Sequence, residues 1–218
     1  MNIALIILLI IILVLVLYLL FYVQGGKSSL TNMNKDTMVI TNKDIVNPMS
    51  VRSSYSMWLY VNSWSSVKKI ICSAGVTGSA NVFELYLDAN TPTLKCDIRT
   101  ASGAIESVSV TNNFPVQRWV YIVISIDGKI VDCYLDGKLI KSQQLQNLSD
   151  MPKDYNITSG AFDAYLTTFY RKPAASDPQT VWSNYMSGNG YTSNNLMSNY
   201  GFSFSVTKDN REIVGYKY

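Results

Sequence analysis

The sequence predicts an all-β fold, an antiparallel jelly-roll sandwich, preceded by one N-terminal transmembrane helix. Three observations carry this expectation. From residue 48 onward, short runs rich in β-branched and aromatic residues alternate with clusters of Gly, Asn, Pro and Ser. Helical periodicity is almost absent, and many short strands spaced by turns specify a sandwich or jelly roll. Residues 3–23, IALIILLIIILVLVLYLLFYV, hold no charge, Gly or Pro; as a helix they extend roughly 32 Å, matching a hydrocarbon core of about 30 Å.

The apolar run lacks the polar stripe of a surface helix, so burial in a soluble core does not suit it. A cleaved signal peptide needs a basic n-region, a shorter apolar stretch and a small-residue cleavage site. Here only Met1 and Asn2 precede the run and bulky residues continue to Val23, although Gly25 and Gly26 offer a cleavage point. Residues 1–23 are therefore read as an uncleaved anchor in a lipid bilayer. Residues 24–47, rich in Lys, Asn, Ser and Thr, read as a polar tether. The jelly-roll domain is assigned to residues 48–190.

Within it, VRSSYSMWLYVNSW (51–64) alternates, with Tyr55, Met57, Leu59 and Val61 on one side and Trp58 and Tyr60 on the other. KKIICSAG, VFELYLD, LKCDIRT and SVSVT follow as further strands. WVYIVISI (119–126) is almost continuously apolar, as in a strand covered on both faces. A short helix is expected at SDPQTVWSNYMSG (176–188), with Ser176 as N-cap, Pro178 in the first turn and Gly188 at its end. Residues 191–218, rich in Tyr and Asn, form a C-terminal segment with a last hairpin expected around Lys208-Asp209-Asn210.

The segment IDGKIVDCYLDGKLIKS (126–142) holds one triplet twice, Asp127-Gly128-Lys129 and Asp136-Gly137-Lys138. Asp-Gly between alternating strands signals a type I′ hairpin turn, because Gly accepts positive φ freely and Asp tolerates it. Both triplets are read as structural turns. The intervening residues make one strand, which sends Asp127 and Asp136 to opposite ends of the sandwich, so they cannot share an ion.

All 18 Lys and Arg and all 15 acidic residues follow the anchor, and a mixed net charge of +3 does not suggest a nucleic-acid surface. Lys27 and Lys35 beside the anchor favour a cytosolic domain. Cys72, Cys96 and Cys133 are an odd number in apolar, strand-like settings and read as buried free thiols. Asn147 and Asn156 head two glycosylation tripeptides that arise readily in a chain rich in Asn and Ser. The chain has no histidine, which removes Ser-His-Asp and Cys-His nucleophile pairs and imidazole-based zinc sites. Glu84 and Asp88 lie four residues apart on one strand, about 13 Å, wider than either glycosidase geometry of about 5 to 9.5 Å. No enzyme activity and no cofactor are expected.

Three segments resemble laminin-G-like, concanavalin A-like jelly rolls. Trp58 in YSMWLYVNSW looks like their first-strand aromatic signature. RWVYIVISIDGKIVDCYLDGKLI (118–140) resembles their strand–turn–strand segment ending in Tyr-x-Asp-Gly-Lys, and FDAYLTTFYRKPAASDPQTVWSNYMSGNG (162–190) is similar to their late strand and short helix. One departure is Tyr121, where such domains often carry His. An anchor joined to such a domain looks like a group found in large DNA viruses of algae and protists. That resemblance implies a minor virion protein linking an internal membrane to the capsid shell. The alternative is an outward-facing lectin or adhesion domain, using loop aromatics Trp64, Tyr191 and Tyr200 on glycans, with Ca²⁺ held by Asp and Asn oxygens as the one ion left open. Trp58, Trp119 and Trp182 are expected in the core.

Overall fold

The computed structural model describes residues 11–13, 30–76 and 78–190, together with two strands between 203 and 217. Residues 11–13 of the expected anchor are helical and exposed; the rest of it, and Tyr191 and Tyr200, lie outside the described residues. Among the described residues no helix is long and apolar enough to cross a membrane.

Two six-stranded sheets face each other. The first runs in the order β1 (Thr31–Asn32), β12 (Ala164–Lys172), β3 (Arg52–Val61), β8 (Trp119–Asp127), β9 (Ile130–Leu135) and β10 (Lys138–Gln144). The second runs β2 (Val39–Ile40), β11 (Asn156–Ser159), β4 (Lys69–Gly75), β5 (Phe83–Leu87), β6 (Leu94–Arg99) and β7 (Ile105–Thr111). Neighbouring strands are antiparallel throughout. The expected last hairpin forms as β13 (Ser203–Lys208) and β14 (Arg211–Lys217).

The domain begins earlier than the composition suggested. Residues 31–47, read as tether, supply β1, β2 and a 3-10 turn, and bury Met33 and Ile45 in the core. Two-residue strands leave no periodicity to read. Each is held by its partner: Met33 N–H donates to Ala164 O at 3.0 Å, and Met38 N–H to Ser159 Oγ at 2.9 Å.

Strand β3 is buried on both faces. Tyr55, Met57, Leu59 and Val61 point between the sheets, where Tyr55 stacks on Phe83 of β5 with centroids 4.0 Å apart. Trp58 points outward and remains buried, because the helix α1 (Pro178–Met186) covers it. Val181 and Tyr185 of α1 close a second apolar cluster over Trp58, Tyr121, Val123 and Tyr134. Tyr121 thus packs as a structural aromatic at the position that departs from the resembled pattern.

The helix is capped by Asp177 rather than the expected Ser176. The Asp177 carboxylate accepts from Thr180 N–H at 2.9 Å, and Pro178 follows directly. Ser176 instead pins the incoming linker to the sheet: its N–H donates to Ser125 Oγ and its hydroxyl to Ser54 Oγ, both at 2.9 Å. Gly188, at φ 78°, ends the helix as expected.

The two Asp-Gly-Lys triplets fold differently. Asp136 (φ 48°) and Gly137 (φ 78°) both adopt the left-handed region, the type I′ pattern expected between β9 and β10. In the first triplet Asp127 is the last residue of β8, paired with Ile130, so the turn is Gly128-Lys129 and only Gly128 (φ 62°) is left-handed. That is a II′ pattern, set by register rather than by the dipeptide. Gly137 also has a packing role: a Cβ there would sit 2.7 Å from Trp182 and 3.2 Å from Tyr185, so α1 rests directly on the glycine.

Cys72, Cys96 and Cys133 are free and buried. Burial disfavours their thiolates, pushing the Cys133 thiol up to about 12 and those of Cys72 and Cys96 upward as well. The folded chain should take up no maleimide at neutral pH, whereas urea-unfolded chain should take up three per molecule by mass spectrometry.

Gly137→Ala combines an unfavourable φ with a collision against α1. Gly103 shares the backbone problem (φ 83°) but has open space around it. Gly103→Ala should cost about 1–2 kcal/mol in urea unfolding, and Gly137→Ala about 1–3 kcal/mol more through overpacking. Equal losses would remove the helix seat.

Candidate functional site

Across the outer face of the first sheet, beyond the area covered by α1, Tyr165 of β12, Tyr60 of β3 and Trp119 of β8 are direct register partners. Tyr165 and Tyr60 ring centroids lie 6.5 Å apart at 61°, and Tyr60 and Trp119 lie 5.6 Å apart at 63°. All three rings are partly exposed. Three adjacent strands make a row about 10 Å long, from inter-strand spacings near 4.8 Å. The alternating tilt makes the surface ridged, suited to a chain-like ligand laid across it more than to a flat one.

Polar groups line one end of this row. Asp163 accepts from Asn62 Nδ2 at 2.9 Å and from Ser63 Oγ at 2.5 Å, which ties the segment after β3 to the start of β12. Gln117, at φ 58°, is tied to the same segment: its N–H donates to Val61 O at 2.8 Å and its Nε2 to Asn62 O at 3.4 Å. Arg118 pairs with Asp136 at 2.6 Å, while the other Asp136 oxygen accepts Tyr121 N–H at 2.9 Å. Hydrogen bonds from Ser63 and then Asn62 hold the Asp163 carboxyl below its ordinary value.

The residues singled out in the sequence sit elsewhere. Trp64 lies in the loop before β4, but its ring covers the buried Lys69 ammonium, 3.8 Å from the ring centroid. That ammonium also donates to Ser65 O and to Val67 O, and burial lowers its pKa. Trp64 therefore shields a buried cation and packs against the main core. Trp58 is buried as expected, whereas Trp119 is only partly buried and Trp182 is 45% exposed, contrary to a core position for both. Asp127 pairs with Arg52 at 2.7 Å and Asp136 with Arg118, at opposite ends of β9. Glu84 is engaged by Lys68 and Asn81, and Asp88 by Lys95. Among the described residues no group of three His, Cys, Asp or Glu side chains could hold a metal ion.

A second concavity opens between the sheets at β1, β2 and β12, lined by Thr31, Met38, Ile40 and residues 166–170. It encloses about 190 Å³, below the roughly 300–1,000 Å³ of ordinary small-molecule sites. The bulge in β12 that shapes it places Thr168 at φ 49°, with its hydroxyl donating to Asn189 O at 3.3 Å.

A family model described as the concanavalin A-like lectin/glucanases superfamily matches residues 32–171. The chain belongs to this superfamily. Its start at residue 32 agrees with the early β1, and the two antiparallel sheets suit such a sandwich. Among solved structures, the botulinum neurotoxin serotype D binding domain matches with a TM-score of 0.58 at 14% identity over 75% of this chain. The binding domain of botulinum neurotoxin DC in complex with rat synaptotagmin II matches with a TM-score of 0.56 at 16% identity over 69%. This concanavalin A-like chain spans less than half of each, 45% and 40% respectively, so the likeness covers part of a longer chain and shows the fold alone. No curated protein matches the sequence.

The ring row was not legible beforehand because register creates it: Tyr60, Trp119 and Tyr165 lie 46 to 105 positions apart in the chain. The signal that was available is local. Each is an aromatic at a strand end, next to a polar turn.

The chain has no histidine, the side chain whose ordinary charge change falls between pH 5 and 8. Asp163, with its folded pKa depressed, supports the rim above the unfolded carboxyl value near 3.9 and loses that support as pH falls through the lower folded value. Trp119 fluorescence should therefore be constant from pH 8 to 5, and rearrangement of the 62–64 segment should begin only below about pH 4. A transition near pH 6 would contradict this assignment.

Proposed function

We propose that this chain is a non-enzymatic interaction module, held at a bilayer by residues 3–23, whose Tyr165–Tyr60–Trp119 row binds a short glycan. The observation that carries the reading is the row itself: three register-matched, partly exposed rings rimmed by Asn62, Gln117, Arg118 and Asp163. Aromatic faces stack on the apolar C–H faces of sugar rings, while amide, carboxylate and guanidinium groups satisfy their hydroxyls. Other proteins of this fold support its use as a binding scaffold. One neurotoxin ligand-binding domain is described in complex with N-acetylneuraminic acid, and one binding domain with rat synaptotagmin II.

The capsid-linking role is a second reading, favoured by Lys27 and Lys35 beside the anchor. The two place the domain on different sides of the membrane, and Asn147 reports which. Its sequon side chain is exposed, whereas Asn156 lies in β11 and accepts from Asn42 N–H at 3.0 Å. Glycosidase-sensitive mass on Asn147 marks an outward domain; its absence in a glycosylating host favours the scaffold.

A glycan array probed with detergent-solubilised chain, with and without calcium, tests the main reading. Tyr60→Ala and Trp119→Ala should each weaken a bound glycan about tenfold, or about 1.4 kcal/mol. Trp64→Ala should leave affinity unchanged while costing about 0.5–2 kcal/mol of stability through the lost Lys69 contact. Silence of the array under both conditions sinks the glycan reading.

A further inference from the structure

The direction in which the chain enters the sandwich defines two ends. Thr31 pairs with Leu166 and Asn32 with Tyr165, antiparallel, so the chain arrives from the side of the later β12 residues. At that end β3 begins, β8 finishes, and the segment Ile45–Val51 crosses. The aromatic row sits toward the other end, where β3 finishes and β8 begins.

The entry end carries apolar side chains that stay exposed among the described residues. Val46 is 70% exposed and Met49 61%, with Val51, Ile130 and Leu148 also exposed. Their loops are neighbours: Gly128 N–H donates to Val51 O at 3.2 Å, and a Cβ on Gly128 would lie 3.6 Å from Leu148. The loop bearing Val46 and Met49 is firmly held. Arg171 donates to Val46 O, Asn47 O and Pro48 O at 2.5, 3.2 and 3.4 Å, and Ser50 Oγ donates to Arg52 O at 2.7 Å. A pinned loop that projects apolar side chains points to a partner surface.

We propose that this end rests on the bilayer that holds the anchor, with Val46, Met49 and Val51 entering the headgroup boundary. The proposal rests on the reading of residues 3–23 as the anchor. Val23 and Thr31 can be at most about 29 Å apart, from eight residues at up to 3.6 Å each. Allowing for the bulge in β12, the Arg171 level lies four β3 residues from the Thr31 pairing, Leu59 to Tyr55, or about 13 Å toward the entry end at 3.3 Å per residue. The loop tip therefore reaches the membrane well within the tether's length. Charge at this end is mixed, with Lys43, Arg52, Lys129, Lys153 and Lys172 beside Asp44, Asp127 and Asp154, and the contact is assigned to the apolar side chains, which enter neutral lipid as well.

The test reconstitutes the full chain in phosphatidylcholine vesicles carrying nitroxide lipids, with a bimane label on Met49→Cys or, at the other end, Asn113→Cys. The buried native thiols leave the label at one place, checked with unsubstituted chain. Loss of Met49→Cys fluorescence with the Asn113→Cys signal retained supports the proposal. Equal fluorescence at both positions, with the chain still floating with the vesicles, overturns the bilayer-facing end and leaves the anchor intact. Failure to float overturns the anchor reading and this inference together. A Met49→Cys emission shift without nitroxide quenching, lost when the chain is diluted in lipid, assigns the surface to a second copy and also overturns it.

Discussion

Everything in this sandwich depends on covering β3 and β8 on both faces. Their inward residues build the core between the sheets, but outward Trp58, Tyr121 and Val123 are aromatic and apolar too, and a sheet face of that kind must be dry. The short helix α1 supplies the cover. It is capped by Asp177, pinned by Ser176, and seated on Gly137, a turn residue without a side chain. The second Asp-Gly-Lys triplet is thus more than a turn. It closes a hairpin and leaves room for the helix above it.

The helix covers only part of that outer face, and the remainder explains the position of the ring row. Where cover stops, Trp119 and Tyr60 emerge from the buried cluster into partial exposure and Tyr165 extends them across β12. A ligand there meets a surface prearranged by strand register and supported from beneath by the main core, so little conformational entropy is lost on binding. Loop sites, by contrast, must be ordered one residue at a time. Trp64, a loop aromatic, has a different task over Lys69.

Much of the fold was readable because it is local. Alternation in 51–64, the unbroken apolar run 119–126 and the Asp-Gly turns each need only a few neighbouring residues. What was not readable depends on distant partners. The strands β1 and β2 have two residues each and exist because β12 and β11 bond them. Ser176 and Asp177 are both good caps in isolation, and Ser54 and Ser125 decide between them by taking the serine. Burial of Trp119 and Trp182 could not be graded from composition, since the edge of the helix footprint decides it.

The N-terminal hook has a mechanical consequence. The chain engages the first sheet through β1, crosses at residues 33–37 and engages the second through β2, with Met33 wedged in the core between them. A pull on the N-terminus runs along the β1 axis, so its hydrogen bonds to β12 are loaded together in shear rather than opened one by one. The strain then passes through the crossing to the opposite sheet. The two shortest strands of the domain thereby act as a catch that spreads tension over both layers before any core strand is peeled away.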